Sequence, residues 1–466
     1  MVRSRTSWAG ELLITLARDG GAPLHQQLEV ALREAVRSGR LASDSALPSS
    51  RALADQLAIS RGVVVEAYEQ LVAEGYLSSQ PGGVTRVTSA TTAVPAGNDT
   101  AHEKPVVRFD FAYGRPDVTE FPRQAWLRCL KRVLNEMPAE RMSYLDGRGT
   151  PEVREALAAY LNRVRGTAAD PESTVITNGF AQAVWLVARV LRDAGARRLA
   201  VEDPGQRDVA RTVQEVGLDV VPVPVDEGGI DVESLDRSAA DAVLVTPAHH
   251  FPTGAVLPAE RRQALEQWAR RGDRLILEDD YDAEYRYDRE PIGALQGLAP
   301  DRVIYAGSAS KTLAPGLRLG WMLVPPRLVG RMAAAKQASD RGSASIEQLA
   351  FADFLSRGDF DRHLRRMRPI YRVRRDALLA SLRSMLPDLR PVGASAGLHV
   401  LAWLPRGIDE GAVVDAAAAE GIAIDGLTPY RRASVGPGGL VFGYGAVTEA
   451  QIPAGVAAVA RIIAAQ

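Results

Sequence analysis

Between Val175 and Val324 short apolar runs alternate with longer stretches of helical period, and few folds accept that order. Val175–Thr177, Leu199–Glu202, Val220–Val225, Ala242–Thr246, Leu275–Glu278, Val303–Ala306 and Leu319–Val324 have the length and composition of strands buried on both faces. Residues 180–193, 206–216 and 258–271 fit helices between them. Helices that carry the chain from one parallel strand to the next cover both faces of a single sheet. The region therefore predicts an α/β unit with a mixed, mostly parallel sheet. Residues 108–466 form this unit, with a large subdomain over about 145–345. The closing segment, about 346–466, turns helix-rich and mixed; with part of 108–144 it predicts a smaller α+β subdomain.

The first 88 residues follow another pattern. Leu24, Leu28, Leu32 and Val36 recur every four positions, one apolar stripe of a helix over about 24–38 that Gly39 stops. Ser49 is placed to cap a helix over 50–57 and Ser60 one over about 61–74, which Gly75 ends. Leu77 and Val84–Val87 flank Ser-Ser-Gln-Pro-Gly-Gly, a strand–turn–strand signal. Two short helices joined by a tight turn and followed by a hairpin describe a winged helix-turn-helix, of α+β type. Residues 89–107 are small, polar and Pro-interrupted, and are expected to link the two units.

Composition narrows the function classes. Cys129 is the only cysteine, so no disulfide forms within the chain, as suits a reducing compartment. No apolar run is long enough for a membrane span, and the opening residues make a poor signal peptide; a cytoplasmic location is expected. The net charge is −1, and the first 90 residues carry nine Arg against nine acids. Any DNA binding must come from local placement of charge. Lysine is confined to Lys104, Lys131, Lys311 and Lys336, which makes each worth examining.

The segment LPSSRALADQLAISRGVVVEAYEQLVAEGYL closely resembles the GntR-type winged helix. The resemblance implies that Arg51 and Arg61, at the starts of helices two and three, contact double-stranded operator DNA. The chemistry agrees: helix N-termini offer free N–H groups to phosphate, and Arg bonds phosphate or guanine in bidentate fashion. Ser49 and Ser60 are further phosphate donors, and Arg86 with Gly82 and Gly83 belongs to a wing that reaches the minor groove.

In the second unit, IYAGSASKTLAPGLRLGWM places Lys311 in a Ser/Gly-rich turn after a strand. A lysine there forms a Schiff base with an aldehyde, while Ser308, Ser310 and Arg318 suit a phosphate. In LILEDDYDAEYRYD a buried strand ends in acids, one of which can hold a pyridine nitrogen protonated. Thr177–Ala181 runs from strand into helix, where free N–H groups suit phosphate. From residue 108 onward the chain resembles the fold-type I pyridoxal-phosphate (PLP) aminotransferases. Its fusion to a GntR-like winged helix resembles the MocR/GabR family of regulators, including the PdxR type. The motifs are FDF…G-x-PD…FP, TPAHHFPTG, EDDYDAEYRYD and SASKTLAP-x-LRLG. The resemblance implies Lys311 as the PLP lysine, Asp279 on the pyridine nitrogen and Tyr281 on the ring oxygen. It places Arg318, Ser308, Ser310, Asn178 and the amides of Phe180 and Ala181 at the phosphate. Tyr144 matches a tyrosine donated across a dimer, and a head-to-tail, domain-swapped homodimer is implied. No metal is expected.

Several positions depart from the aminotransferase pattern. Gln206 replaces a ring-stacking aromatic, Phe251 an Asn beside the ring, and Phe180 a phosphate-binding Ser. Gly439 and Leu440 stand where the substrate-carboxylate arginine should fall; Arg431 or Arg432 can substitute, with Arg207 behind them and His249 and His250 nearby. These departures predict a PLP-dependent transcriptional regulator that senses PLP or an amino compound. The alternative is an aminotransferase with an accessory domain, and a residual half-reaction stays open.

Overall fold

The computed structural model describes residues 14–17, 22–80, 83–88, 107–144, 146–282, 284–287 and 292–466. Two compact units divide between Lys104 and Pro105. The expected linker lies almost entirely outside the described residues, as does Gly82 of the wing.

The first unit is built of α1 (Leu24–Arg37), α2 (Ser50–Leu57), α3 (Arg61–Ala73) and the antiparallel pair β1 (Leu77–Ser78) and β2 (Arg86–Val87). Leu28, Leu32, Leu53, Val64, Ala67, Leu71 and Val87 close one apolar core between them. The helix-turn-helix and wing are as the sequence predicts. Ala58, at the α2 C-cap, adopts a left-handed conformation that turns the chain from α2 toward α3.

The second unit opens with β3 (Phe109–Asp110), α4 (Arg123–Glu136) and α5 (Pro151–Arg165). Alternation follows: β4 (Thr174–Thr177), α6 (Phe180–Asp193), β5 (Arg198–Asp203), α7 (Arg207–Val216), β6 (Asp219–Asp226), β7 (Gly229–Ile230), α8 (Val232–Arg237), β8 (Ala242–Val245), α9 (Ala259–Arg271), β9 (Leu275–Asp280), β10 (Val303–Ser308) and β11 (Gly320–Leu323). These strands form one sheet in the order β4-β11-β10-β9-β8-β5-β6-β7. Strands β10, β9, β8, β5 and β6 run parallel, whereas β11 is antiparallel to both its neighbours. Apolar layers cover the two faces, one with Val184, Leu244 and Met322, the other with Val243, Leu265 and Trp268.

Helices α10 (Val329–Asp340), α11 (Ser345–Ser356) and α12 (Asp359–Met385) lead to the small subdomain. There β12 (Arg390–Val392), β13 (His399–Trp403), α13 (Glu410–Ala419), β14 (Ile422–Ala423), β15 (Asp425–Gly426), β16 (Gly439–Gly443) and α14 (Gln451–Ala464) complete the chain. A four-stranded sheet orders them β12-β13-β16-β15, and β14 pairs in parallel with β3, which ties the start of the unit to its end.

Candidate cofactor site and DNA-facing helices

Sheet topology gathers the polar residues at one rim. Because β11 runs backwards, its start lies beside the ends of β10 and β4: Ser308 is level with Gly320, and Gly320 with Thr177. Ala306 and Gly307 are level with Asp279 and Asp280. The rim thus collects Lys311 and Arg318 from the β10–β11 connection, residues 178–181 from the β4–α6 turn, and the acids that end β9. Ligands of open α/β sheets bind at such carboxyl ends.

Strand alternation sends the adjacent acids to opposite faces. Asp280 turns inward, where the Arg165 guanidinium donates to it at 2.7 Å and the Tyr305 hydroxyl at 2.6 Å. Asp279 faces the rim and accepts from Gln206 Nε2 at 3.0 Å. Burial, reinforced by Asp280 and Asp282, raises the Asp279 carboxyl well above its ordinary range, and Lys311 opposes that shift. The Lys311 amine is pushed down by burial against the pull of Asp279 and Asp282, which eases the loss of a proton that a nucleophilic role requires. Its Nζ donates to the Gly114 carbonyl at 2.7 Å.

Tyr281 is buried, with its hydroxyl 3.3 Å from His249 Nδ1. His249 Nδ1 also lies 2.9 Å from an Asp282 carboxylate oxygen, and its Nε2 lies 3.1 Å from the Gly393 carbonyl. Both ring nitrogens face acceptors, so the ring satisfies both only as an imidazolium. Burial alone would lower its pKa, but the charge and hydrogen bond of Asp282 prevail and raise it. His249, Asp282 and His399 bring three ligand-type atoms within 4.8 Å of one another. The 2.9 Å contact is a hydrogen-bond length that pairs His249 with Asp282, whereas His399 Nε2 lies 3.1 Å from the Pro252 carbonyl. His250 instead meets Thr253 Oγ1 at 2.8 Å, and burial lowers its pKa to about 3.

At the other end, Gly179 caps α6 with φ 91° and ψ 176°, and no side chain caps the helix. The amides of Phe180 and Ala181 therefore lie in a first turn open to an anion. Arg318, itself left-handed at φ 50°, donates to the Asn178 carbonyl. A Cβ on Gly179 would come 2.9 Å from the Arg318 guanidinium, so only glycine lets that side chain lie over the turn. Ser308 is buried and its Oγ accepts from the Ser310 amide at 3.3 Å. Together these make a cradle of backbone N–H groups, a guanidinium and hydroxyls with the donors that an anion such as phosphate takes.

The remaining candidates differ in their surroundings. The Asn178 side chain donates to Asp340 at 2.8 Å, so it anchors the turn to α10 and leaves only its backbone at the cradle. Tyr144 is 85% exposed, clear of the site of its own chain. Arg431 donates to the carbonyls of Gly436 and Pro437, lies over Trp403, and lines a crevice of about 740 Å³. Arg432 donates to the Arg207 carbonyl. Arg207 is exposed beside Arg432, and Tyr430, two residues before Arg432, packs its ring edge-on against Phe251. Sequence reasoning missed Tyr113. Its ring stacks on Phe251 at 3.9 Å and lies 5.5 Å from Lys311 Nζ. Its only signal was adjacency to Gly114 in the opening motif.

In the first unit Arg51 and Arg61 are exposed in the first turns of α2 and α3, and Arg61 Nε donates to Ser50 Oγ at 3.3 Å. Ser49 caps α2 through the Ala52 amide at 3.2 Å. Ser60, expected as a cap, makes no side-chain cap bond, which leaves its hydroxyl for another partner. Arg86 donates to the Asp44 carbonyl at 2.7 Å and so braces the wing.

Comparison with known families agrees with both halves. Residues 110–452 match the family described as aminotransferase class I and II, and residues 24–87 the gntR family of bacterial regulatory proteins. The chain is 32% identical to the probable rhizopine catabolism regulatory protein MocR of Rhizobium meliloti, over 95% of this chain and 94% of that one. It is 33% identical to the HTH-type pyridoxine biosynthesis transcriptional regulator PdxR of Corynebacterium glutamicum, over 91% and 92%. An archaeal alanine:glyoxylate aminotransferase superposes with a TM-score of 0.71 at 28% identity, covering 78% of this chain and 91% of that one. The chain therefore belongs to the MocR-type branch of the gntR regulators, in which a winged helix precedes an aminotransferase class I and II domain.

Proposed function

We propose that this chain is a DNA-binding transcriptional regulator whose second unit holds PLP on Lys311 and responds to PLP or to an amino compound. One observation carries the reading: Lys311, Asp279 and the Gly179–Arg318 cradle stand at one rim in a chain that also presents exposed Arg51 and Arg61 in the first turns of two helices. Lys311 would bond the aldehyde, Asp279 the pyridine nitrogen, Tyr281 the ring oxygen, and Arg318, Ser308, Ser310 and the α6 amides the phosphate. Bound there, PLP supplies an electron sink conjugated to the nitrogen it carries. Gln206 orients Asp279, and the His249–Asp282 pair holds the Tyr281 hydroxyl in place. Arg207 is the favoured contact for an acidic effector. Exposed Tyr144 supports a homodimer in which each copy serves the site of the other.

Titration of the DNA beside the protein's own gene, at two salt concentrations, with and without PLP and a panel of amines, tests this. Arg51→Ala and Arg61→Ala should each cost on the order of 1–3 kcal/mol of operator binding where a base is contacted, and leave PLP binding intact. Absence of any such binding, together with rapid turnover of an amino acid and a keto acid, would replace the regulator by an aminotransferase.

A further inference from the structure

The free ammonium of Lys311 has a receptor in the main chain. Nζ donates to the Gly114 carbonyl at 2.7 Å and lies 5.5 Å from the Tyr113 ring centroid, within cation–π range. The fit is tight. Gly114 has φ +80°, and a Cβ there would come 2.8 Å from Nζ. The receptor belongs to a segment woven into the small subdomain. Phe111 N donates to the Ala423 carbonyl, Tyr113 N to Asp425 at 2.9 Å, and Gly443 N to the Phe111 carbonyl at 2.8 Å. Along the chain the same segment is the first described part of the second unit after the linker to the winged helix.

We propose that Tyr113 and Gly114 sense whether Lys311 is covalently engaged, so that an aldehyde on Lys311 releases residues 108–117 and a free Lys311 holds them. The proposal rests on the reading that Lys311 is the PLP lysine. Lys311 first loses one proton to solvent, and its nitrogen lone pair then attacks the aldehyde carbon. A C=N bond forms, and the aldehyde oxygen leaves as water with the two remaining amine hydrogens. An ammonium with three N–H donors becomes a nitrogen with none, or with one in the plane of the new double bond if it is protonated. The contact to Gly114 is lost, and the charge facing Tyr113 is dispersed. When the amine of an effector takes over the aldehyde carbon, its two hydrogens pass to Lys311 and the contact re-forms. Ligand-free protein and amine-loaded protein then share the held state, and PLP alone gives the released one.

Hydrogen–deuterium exchange of residues 108–117 in the full-length protein tests this. The ligands are PLP and 4-deoxypyridoxine 5′-phosphate, which carries the ring and phosphate without the aldehyde. Loss of a hydrogen bond to a charged donor predicts roughly tenfold faster exchange with PLP, and no acceleration with the deoxy compound. Lys311→Met, which removes the donor but keeps an unbranched side chain one atom shorter, should exchange at the fast rate with no ligand present. Equal effects of the two ligands, or slow exchange in ligand-free Lys311→Met, would overturn the proposal. If borohydride reduction of the PLP-saturated protein left no label on Lys311, the PLP assignment itself would fail, and that result is distinct from either of these.

Discussion

Gly179→Ala isolates the phosphate cradle from the rest of the site. At φ 91° and ψ 176° the position lies in a region of backbone space that is essentially closed to residues with a Cβ, at a cost of about 1–3 kcal/mol. The new methyl would also stand 2.9 Å from the Arg318 guanidinium. The turn can relieve both only by swinging the first α6 amides and Arg318 apart, which are the groups that face the phosphate. At 1.4 kcal/mol per factor of ten, the strain alone corresponds to roughly 5- to 150-fold weaker binding of a phosphorylated ligand. The assay compares PLP with pyridoxal, which lacks the phosphate, by visible absorbance of the ligand–Lys311 adduct in wild type and variant. The affinity for PLP should fall by roughly 5- to 150-fold while that for pyridoxal holds. Equal loss for both ligands in a variant that melts like wild type, or no loss for either, would show that the phosphate does not sit at this turn and would refute the cradle.

Buried acids and a helix cap give three further outcomes. Asp280→Ala leaves the Arg165 guanidinium buried without its carboxylate, and thermal unfolding should register about 3–5 kcal/mol of lost stability; Asp279→Ala should instead weaken PLP binding with little change in melting, and the reverse ranking would exchange their roles. Burial raises the Glu202 carboxyl to about 8, so between its ordinary 4.5 and that value the unfolded chain loses a proton that the folded one keeps, and stability falls as pH rises. Glu202→Gln keeps an acceptor for the Thr246 amide and hydroxyl, beside a His250 held neutral, and should gain on wild type by up to a few kcal/mol from pH 5 to pH 8 in melting scans. Ser49→Ala should cost the first unit about 0.5–2 kcal/mol in denaturant titration, whereas Ser60→Ala, which removes no cap bond, should be near neutral for folding.

Local signals made much of this molecule legible. Helices over 180–193 and 50–57 begin and end where the sequence places them, because Gly179, Ser49 and the flanking turns act within a few residues. Lys311, Asp279 and Arg318 stood out because rare or charged side chains at strand ends have few structural uses. What stayed hidden depends on partners distant in sequence. An apolar run reports that β11 is buried but not that it runs antiparallel. β3 and β14 are two residues each, too short for a period, yet they join Phe109 to Ile422. Asn178 looks like a phosphate ligand until Asp340 is seen to hold it, and Arg431 looks free until Gly436 and Pro437 are placed. Tyr113 carries no local mark of function, since only the fold brings Phe251 and Lys311 against it.

The β10–β11 connection also acts as a length gauge. Its ends are pinned where Ser308 faces Gly320, and the Ala309 amide closes on the Leu319 carbonyl at 2.9 Å. Within it the Leu313 and Ala314 amides fold back on Ala309, so residues 309–319 hold no slack. The span from Lys311 to Arg318 is therefore set by strand register and is not open to adjustment by the ligand. A molecule bonded to the lysine must carry its anionic group at one fixed reach, and homologues of PLP with a longer or shorter phosphate arm should be rejected even when their aldehyde is intact. The same rigidity makes this turn the place in the sheet least able to accept an inserted or deleted residue, since one added position would move lysine and arginine out of step.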